Sequence, residues 1–165
     1  MCYHISMTPD MEKASAEALA FLKAHKAGVI ATVSREGRPH ASAVYYTADD
    51  KFSIYFLTLA SSRKYAAALA NPWAAFVVGT QDIPQTLQIE GPLTEIRRRE
   101  DADNHASDLI DALTSTGSYY APITKLDPAD TVLMWLQPKW IRWADYTSPL
   151  NGDKNIFTEI PVEGT

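Results

Sequence analysis

The sequence predicts a mainly β fold, a small antiparallel β-barrel with flanking helices. Three observations carry that expectation. Between residues 28 and 96, short β-branched and aromatic runs alternate with turns rich in Gly, Pro and Asp, the rhythm of antiparallel strands joined tightly. One long strand-like run, residues 85–96, is interrupted by Gly91-Pro92, the kind of bend that a barrel corner needs. Helical periodicity is confined to the start, the middle and a late segment of the chain.

In chain order, Thr8-Pro9-Asp10 supplies a polar cap and an early proline, which open a helix. Over residues 11–25, Ala14, Ala18, Phe21 and Leu22 recur near helical spacing, and Gly28 ends the pattern. Residues 29–34, 40–47 and 52–58 read as strands. The turns between them are Arg35-Glu36-Gly37-Arg38-Pro39 and Ala48-Asp49-Asp50-Lys51, so an antiparallel meander is expected. In the third run Phe52, Ile54 and Phe56 share one face, and Ser53, Tyr55 and Leu57 the other. A short helix follows over 63–71, closed by Pro72. Residues 73–80 form a fourth strand and 85–96 a fifth. Residues 99–113 are expected to be helical, with Ala102, Ala106, Leu109, Ile110 and Leu113 in one stripe. Residues 114–130 look irregular. Runs 131–137 and 140–146, parted at Pro138, bring the count to about seven strands. The whole chain, 1–165, reads as one domain: a helix at 11–25, a barrel over 28–146 and a loop-like tail over 147–165.

Composition narrows the function. A chain of 165 residues, 46% of them hydrophobic, buries a core without staples. The single cysteine, Cys2, excludes an intrachain disulfide and a cysteine zinc site, and suits a reducing cytoplasm. A net charge of -5 argues against nucleic acid as a partner. The N-terminus has no signal-peptide pattern, and no apolar run is long enough to span a bilayer, so no membrane partner is expected.

Familiar catalytic signatures are absent. The glycines stand too far apart for a dinucleotide fingerprint or a Walker loop, and no serine elbow occurs. His4, His25, His40 and His105 are dispersed and read as surface or structural, so no metal is expected. Glu100, Asp101 and Asp103 stand where carboxylates complement a helix dipole.

One stretch is informative. In Thr58-Leu59-Ala60-Ser61-Ser62-Arg63-Lys64 a strand ends, a serine caps a helix, and two cations follow at once. Cations are the wrong sign for a helix N-terminus, and each costs up to about 1 kcal/mol when nothing offsets it. A bound anion would remove the conflict. Backbone N–H groups, a serine hydroxyl, a guanidinium fork and an ammonium together suit a phosphate. Solvated cations beside an ordinary cap would account for the same residues.

The order and spacing of four pieces resemble a known family. They are the run Ala31 through Tyr46; Tyr55-Phe56-Leu57-Thr58 with Ser62-Arg63-Lys64 and Leu69-Ala70-Asn71-Pro72; Ala74-Ala75-Phe76-Val77-Val78; and Gln85-Thr86-Leu87-Gln88-Ile89-Glu90-Gly91. The chain resembles the FMN-binding split-barrel proteins related to pyridoxamine 5′-phosphate oxidase. The resemblance implies a six-stranded antiparallel split barrel, a homodimer, and FMN in clefts shared between subunits. It implies that Ser62, Arg63 and Lys64 hold the phosphate and that Leu57 and Thr58 lie beside the ribityl chain or ring. It implies that Ser42, Ala43, Val44 and Tyr45 run along the isoalloxazine edge, and that Thr86 and Gln88 stand near the flavin. Trp140 and Arg142 would reach in from the second subunit. The oxidase proper has an arginine at the place of Ser42, a lysine at that of Thr47, and an Arg- and His-bearing end. These departures argue against pyridoxamine phosphate as the substrate. Related branches bind a deazaflavin or haem, so the expected function is an FMN-dependent oxidoreductase of a small molecule. A non-catalytic flavin or haem carrier and a deazaflavin reductase stand as alternatives. A deazaflavin's polyanionic tail would need a basic groove beyond Arg63 and Lys64.

Overall fold

The structure is a computed structural model that describes residues 7–79, 84–97, 127–147 and 156–162, with residues 107 and 111. The expected helix over 99–113, its acidic start and the irregular stretch that follows lie almost wholly outside the described residues.

Helix α1 (Pro9–Ala24) starts as its sequence dictates. The Thr8 side chain accepts from the Met11 N–H, Pro9 stands in the first turn, and Asp10 and Glu12 face the positive end of the dipole. Ala18, Phe21 and Leu22 form its buried stripe. Two contacts dock it on the sheet: the Tyr46 hydroxyl donates to the Leu22 carbonyl at 2.8 Å, and Phe21 meets Trp143 edge to face.

The strands are β1 (Ala27–Val33), β2 (Pro39–Tyr45), β3 (Thr47–Ala48), β4 (Ile54–Leu59), β5 (Trp73–Gly79), β6 (Gln85–Glu95), β7 (Thr131–Leu136), β8 (Trp140–Asp145) and β9 (Phe157–Glu159). Helix α2 (Arg63–Ala70) follows β4. All described pairings are antiparallel, in the order β2-β1-β5-β6-β7-β4-β3, with β8 on β6 and β9 on β8. The sheet curls into a half-barrel around one core, in which Ile30, Phe56, Phe76, Leu87, Ile89, Met134 and Leu136 are fully buried.

The curl turns on β6. Its first part pairs with β5 and β8, and beyond Gly91-Pro92 it pairs with β7. A Cβ at Gly91 would collide with the Gln137 carbonyl oxygen, so only glycine lets the β7–β8 connection close over the corner.

Two expectations need correction. The third strand does not continue a meander. β4 pairs with β7 and the short β3, while β2 pairs with β1 alone. The reason is burial: most of β4 is shielded on both faces, so it needs cover that an outer strand of a meander lacks. The tail is not all loop either, since β9 adds a strand to the β8 edge at Phe157–Glu159.

Candidate functional site

Thr58, buried near the end of β4, opens the first cluster. The chain then turns, held by backbone and side chain together. Ala60 N–H donates to the Asp130 carbonyl at 2.7 Å, and the Ser61 hydroxyl to the Asp130 carboxylate at 2.6 Å. Ser62 caps α2: its Oγ accepts from the Tyr65 N–H at 3.3 Å and lies 3.1 Å from Thr58 Oγ1. Lys64 Nζ folds back to donate to Thr58 Oγ1 at 3.3 Å. Burial pushes the Lys64 ammonium below its usual range, because the charge is partly stripped of water and meets no carboxylate within ion-pair distance among the described residues. No acidic residue stands in the first turn of α2. A half-buried ammonium, two hydroxyls and a helix N-terminus therefore converge, with the Asp130 carboxylate held by Ser61 just before the cap, and this donor set is able to bind an anion.

Arg63 goes elsewhere. It shares a helix face with Ala66, Ala67 and Ala70, and lines a groove between α2 and the β1–β2 hairpin.

The second cluster lies on the outer face of the sheet. Gln88 Oε1 accepts from Arg142 Nε at 3.1 Å and from Arg142 Nη2 at 2.7 Å. The same guanidinium stands 5.4 Å from the Trp140 ring centroid and 4.9 Å from that of Phe157. Register places Thr86 two positions along from Gln88, opposite Ala144. Phe157 was not anticipated from sequence. Its only signal is the short alternation Phe157-Thr158-Glu159 inside a segment dominated by Pro, Asn and Gly.

β2 forms the end of the strand order and carries Ser42 through Tyr45. Val44 is buried, Ser42 is half-buried on that same side, and Ala43 and Tyr45 face outward. Leu57 is half-buried opposite Leu133. Thus Thr58, Ser62 and Lys64 meet one another, as do Gln88, Trp140 and Arg142, but no hydrogen bond among the described residues links the two sets.

The outer face of β2, β1 and β5 is small and apolar. Ala43, Val29 and Val77 lie in one cross-strand row, and Ala41, Ala31 and Ala75 in the next. Val29 is 44% exposed, Val77 37% and Trp73 51%.

A curled antiparallel half-barrel with two packed helices defines the split-barrel class of protein. Within that class the chain belongs to the pyridoxamine 5′-phosphate oxidase family, whose model matches residues 14–144. A curated relative, the pyridoxine/pyridoxamine 5′-phosphate oxidase of Cyanothece sp., is 33% identical over 78 residues, 47% of this chain. The match spans only 36% of that relative's length. Three solved structures share the fold. A protein related to general stress protein 26, of the pyridoxinephosphate oxidase family, from Clostridium acetobutylicum has a TM-score of 0.67 at 17% identity, covering 90% of this chain and 96% of its own. A heme binding protein from Mycobacterium smegmatis has 0.68 at 17%, covering 93% and 59%. An F420 reductase has 0.60 at 25%, covering 74% and 93%. No helix of the described residues is long and apolar enough to cross a membrane.

Proposed function

We propose that this protein is an FMN-binding oxidoreductase acting on a small molecule, working as a homodimer with the cofactor at the interface. The observation that carries the reading is Lys64, half-buried on Thr58 and beside the Ser62 cap, with no carboxylate within ion-pair distance among the described residues. In this reading Ser62, Arg63 and Lys64 hold the phosphate, with Thr58 beside them, and β2 from Ser42 to Tyr45 borders the flavin together with Leu57. When bound, the flavin supplies hydride transfer, and the chain supplies binding, orientation and charge near the ring. The separation of the two clusters supports a shared cleft, since Thr86, Gln88, Trp140 and Arg142 join the phosphate seat only when a second copy brings them. The apolar face on β1, β2 and β5, exposed among the described residues, supports the same arrangement. Ser42 and Thr47 remain the reason to look beyond pyridoxamine phosphate for the substrate.

The deciding experiment is an absorption spectrum of the purified protein, with the released cofactor identified by mass. A yellow protein releasing FMN is expected. A Soret band would move the protein to haem, and a colourless protein that refuses added FMN would overturn the reading.

A further inference from the structure

The tail returns to the sheet as β9 and is fastened at both ends. The Asp145 N–H donates to the Ile156 carbonyl at 3.2 Å, and the Ile160 N–H to the Ile141 carbonyl at 3.0 Å. Ile160 then packs into the core, which anchors the strand. Phe157 opens β9 opposite Ala144. Tyr146 meets its ring edge to face, with centroids 6.0 Å apart and planes at 90°. A ring mounted this way, on a paired strand and against a second ring, has little freedom to move.

That ring faces Arg142, a guanidinium with a carboxylate at hand that it does not use. Register sets Glu159 directly opposite Arg142 across the β8–β9 pair, yet Arg142 makes no ion pair among the described residues. Its Nε and Nη2 both donate to the neutral Gln88 amide oxygen, at 3.1 and 2.7 Å. Two ring faces take the place of a counter-ion, Trp140 at 5.4 Å and Phe157 at 4.9 Å. Both lie inside the roughly 6 Å at which a ring face attracts a cation. Two N–H bonds that converge on one oxygen fix a point, not a plane. A ring stacked on the planar guanidinium removes the tilt that remains. Amide and rings together orient the charge without neutralising it. Gln88 and Trp140 belong to the barrel strands β6 and β8, and Phe157 is the contact that the tail brings.

We infer that Phe157 is a positioning residue: through its ring, strand β9 holds the Arg142 guanidinium charged and at a fixed tilt toward the shared cleft. The destination of Arg142 rests on the flavin reading above; the clamp on it does not. The tail is then a working part of the site, although Phe157 itself touches neither cofactor nor substrate in this role.

The test compares wild type, Phe157→Leu, Arg142→Ala and the double variant, with Phe157→Trp alongside. Leucine keeps an apolar side chain and loses the ring face, and tryptophan keeps the ring face. Each protein is titrated with FMN by fluorescence and unfolded in urea. Phe157→Leu is expected to weaken FMN binding about fivefold, the size of one cation–π contact, and to shift the absorption bands of the bound flavin. Phe157→Trp should restore both, and Phe157→Leu should add nothing once Arg142 is alanine. Equal losses with and without Arg142 overturn the inference, as does wild-type affinity in Phe157→Leu. Wild-type FMN affinity in Arg142→Ala also overturns it, and leaves the Lys64 seat standing. A wild type that refuses FMN removes the flavin reading, and the urea cycle then decides the clamp. The clamp stands if Phe157→Leu lowers the midpoint only where Arg142 is present, and falls if the two changes simply add.

Discussion

In the phosphate seat proposed above, Lys64 concentrates the chemistry in one side chain, because burial disfavours its charge and a bound anion would favour it. Burial depresses its folded pKa below the unfolded value. Between the two values the unfolded chain binds more protons, so this group's contribution to stability rises with pH in that window. A bound phosphate reverses the sign by favouring the ammonium. FMN affinity should therefore fall as pH rises through the depressed Lys64 value, earlier than an ordinary lysine would allow. Lys64→Arg should flatten that alkaline limb, since a guanidinium stays protonated. Lys64→Ala should weaken FMN binding at least tenfold at neutral pH while leaving the thermal midpoint near wild type. Fluorescence titration of FMN across pH measures the first two outcomes. An unchanged dissociation constant in Lys64→Ala would sink the phosphate seat. The motif itself was legible, because a cap followed by wrong-sign charges is a local conflict. The different surroundings of the Arg63 and Lys64 side chains were not, because they depend on what each helix face meets in three dimensions.

Among the elements, β6 and α1 show what local pattern conveys. The bend in β6 was readable from Gly91-Pro92, since a glycine and a proline inside a strand have few other uses. Its consequence is steric. Gly91→Ala drives a methyl into the Gln137 carbonyl, which should cost about 3 kcal/mol and lower Tm by about 10 °C for a chain of this size. Calorimetry of that variant checks it, and a midpoint within a degree or two of wild type would mean that the corner yields easily. Tyr46→Phe asks how firmly α1 is held. It removes only the hydroxyl that donates to Leu22, so a loss of about 1–2 kcal/mol in a urea melt is expected with the core otherwise intact. The α1 boundaries were legible for the same reason as the bend: caps and apolar spacing are written within a few residues. Strand partners are not. Alternation in residues 52–58 told which side chains share a face but not that β7, more than seventy residues later, lies alongside. β9 escaped because three residues carry too little periodicity to stand out from a loop.

At the scale of the whole molecule, one chain holds two polar clusters that no hydrogen bond among the described residues links, and one apolar face that its own described elements leave open. The homodimer proposed above would relate both facts, since a symmetric interface uses the same patch twice. The row Ala43–Val29–Val77–Gln88–Arg142 crosses five strands and runs from small apolar side chains to the clamped guanidinium. In that proposed dimer, packing the alanine and valine end against its copy would exclude water there and leave the Arg142 end to border the cleft. Val77→Glu tests this directly. Val77 already points outward, so a carboxylate there is harmless to the monomer's core. Within an interface the same charge is buried opposite apolar side chains with nothing to pair it, which should weaken the dimer at least ~100-fold. Light scattering should then report a monomer with a circular dichroism spectrum like wild type, and FMN retention should fall with dimerisation, because Gln88 and Arg142 no longer reach the partner's Lys64 seat. A Val77→Glu monomer that still holds FMN as tightly as wild type would place the whole cofactor site within one chain. A Val77→Glu dimer would put the interface on another face, and the alanine rows would then need a different occupant.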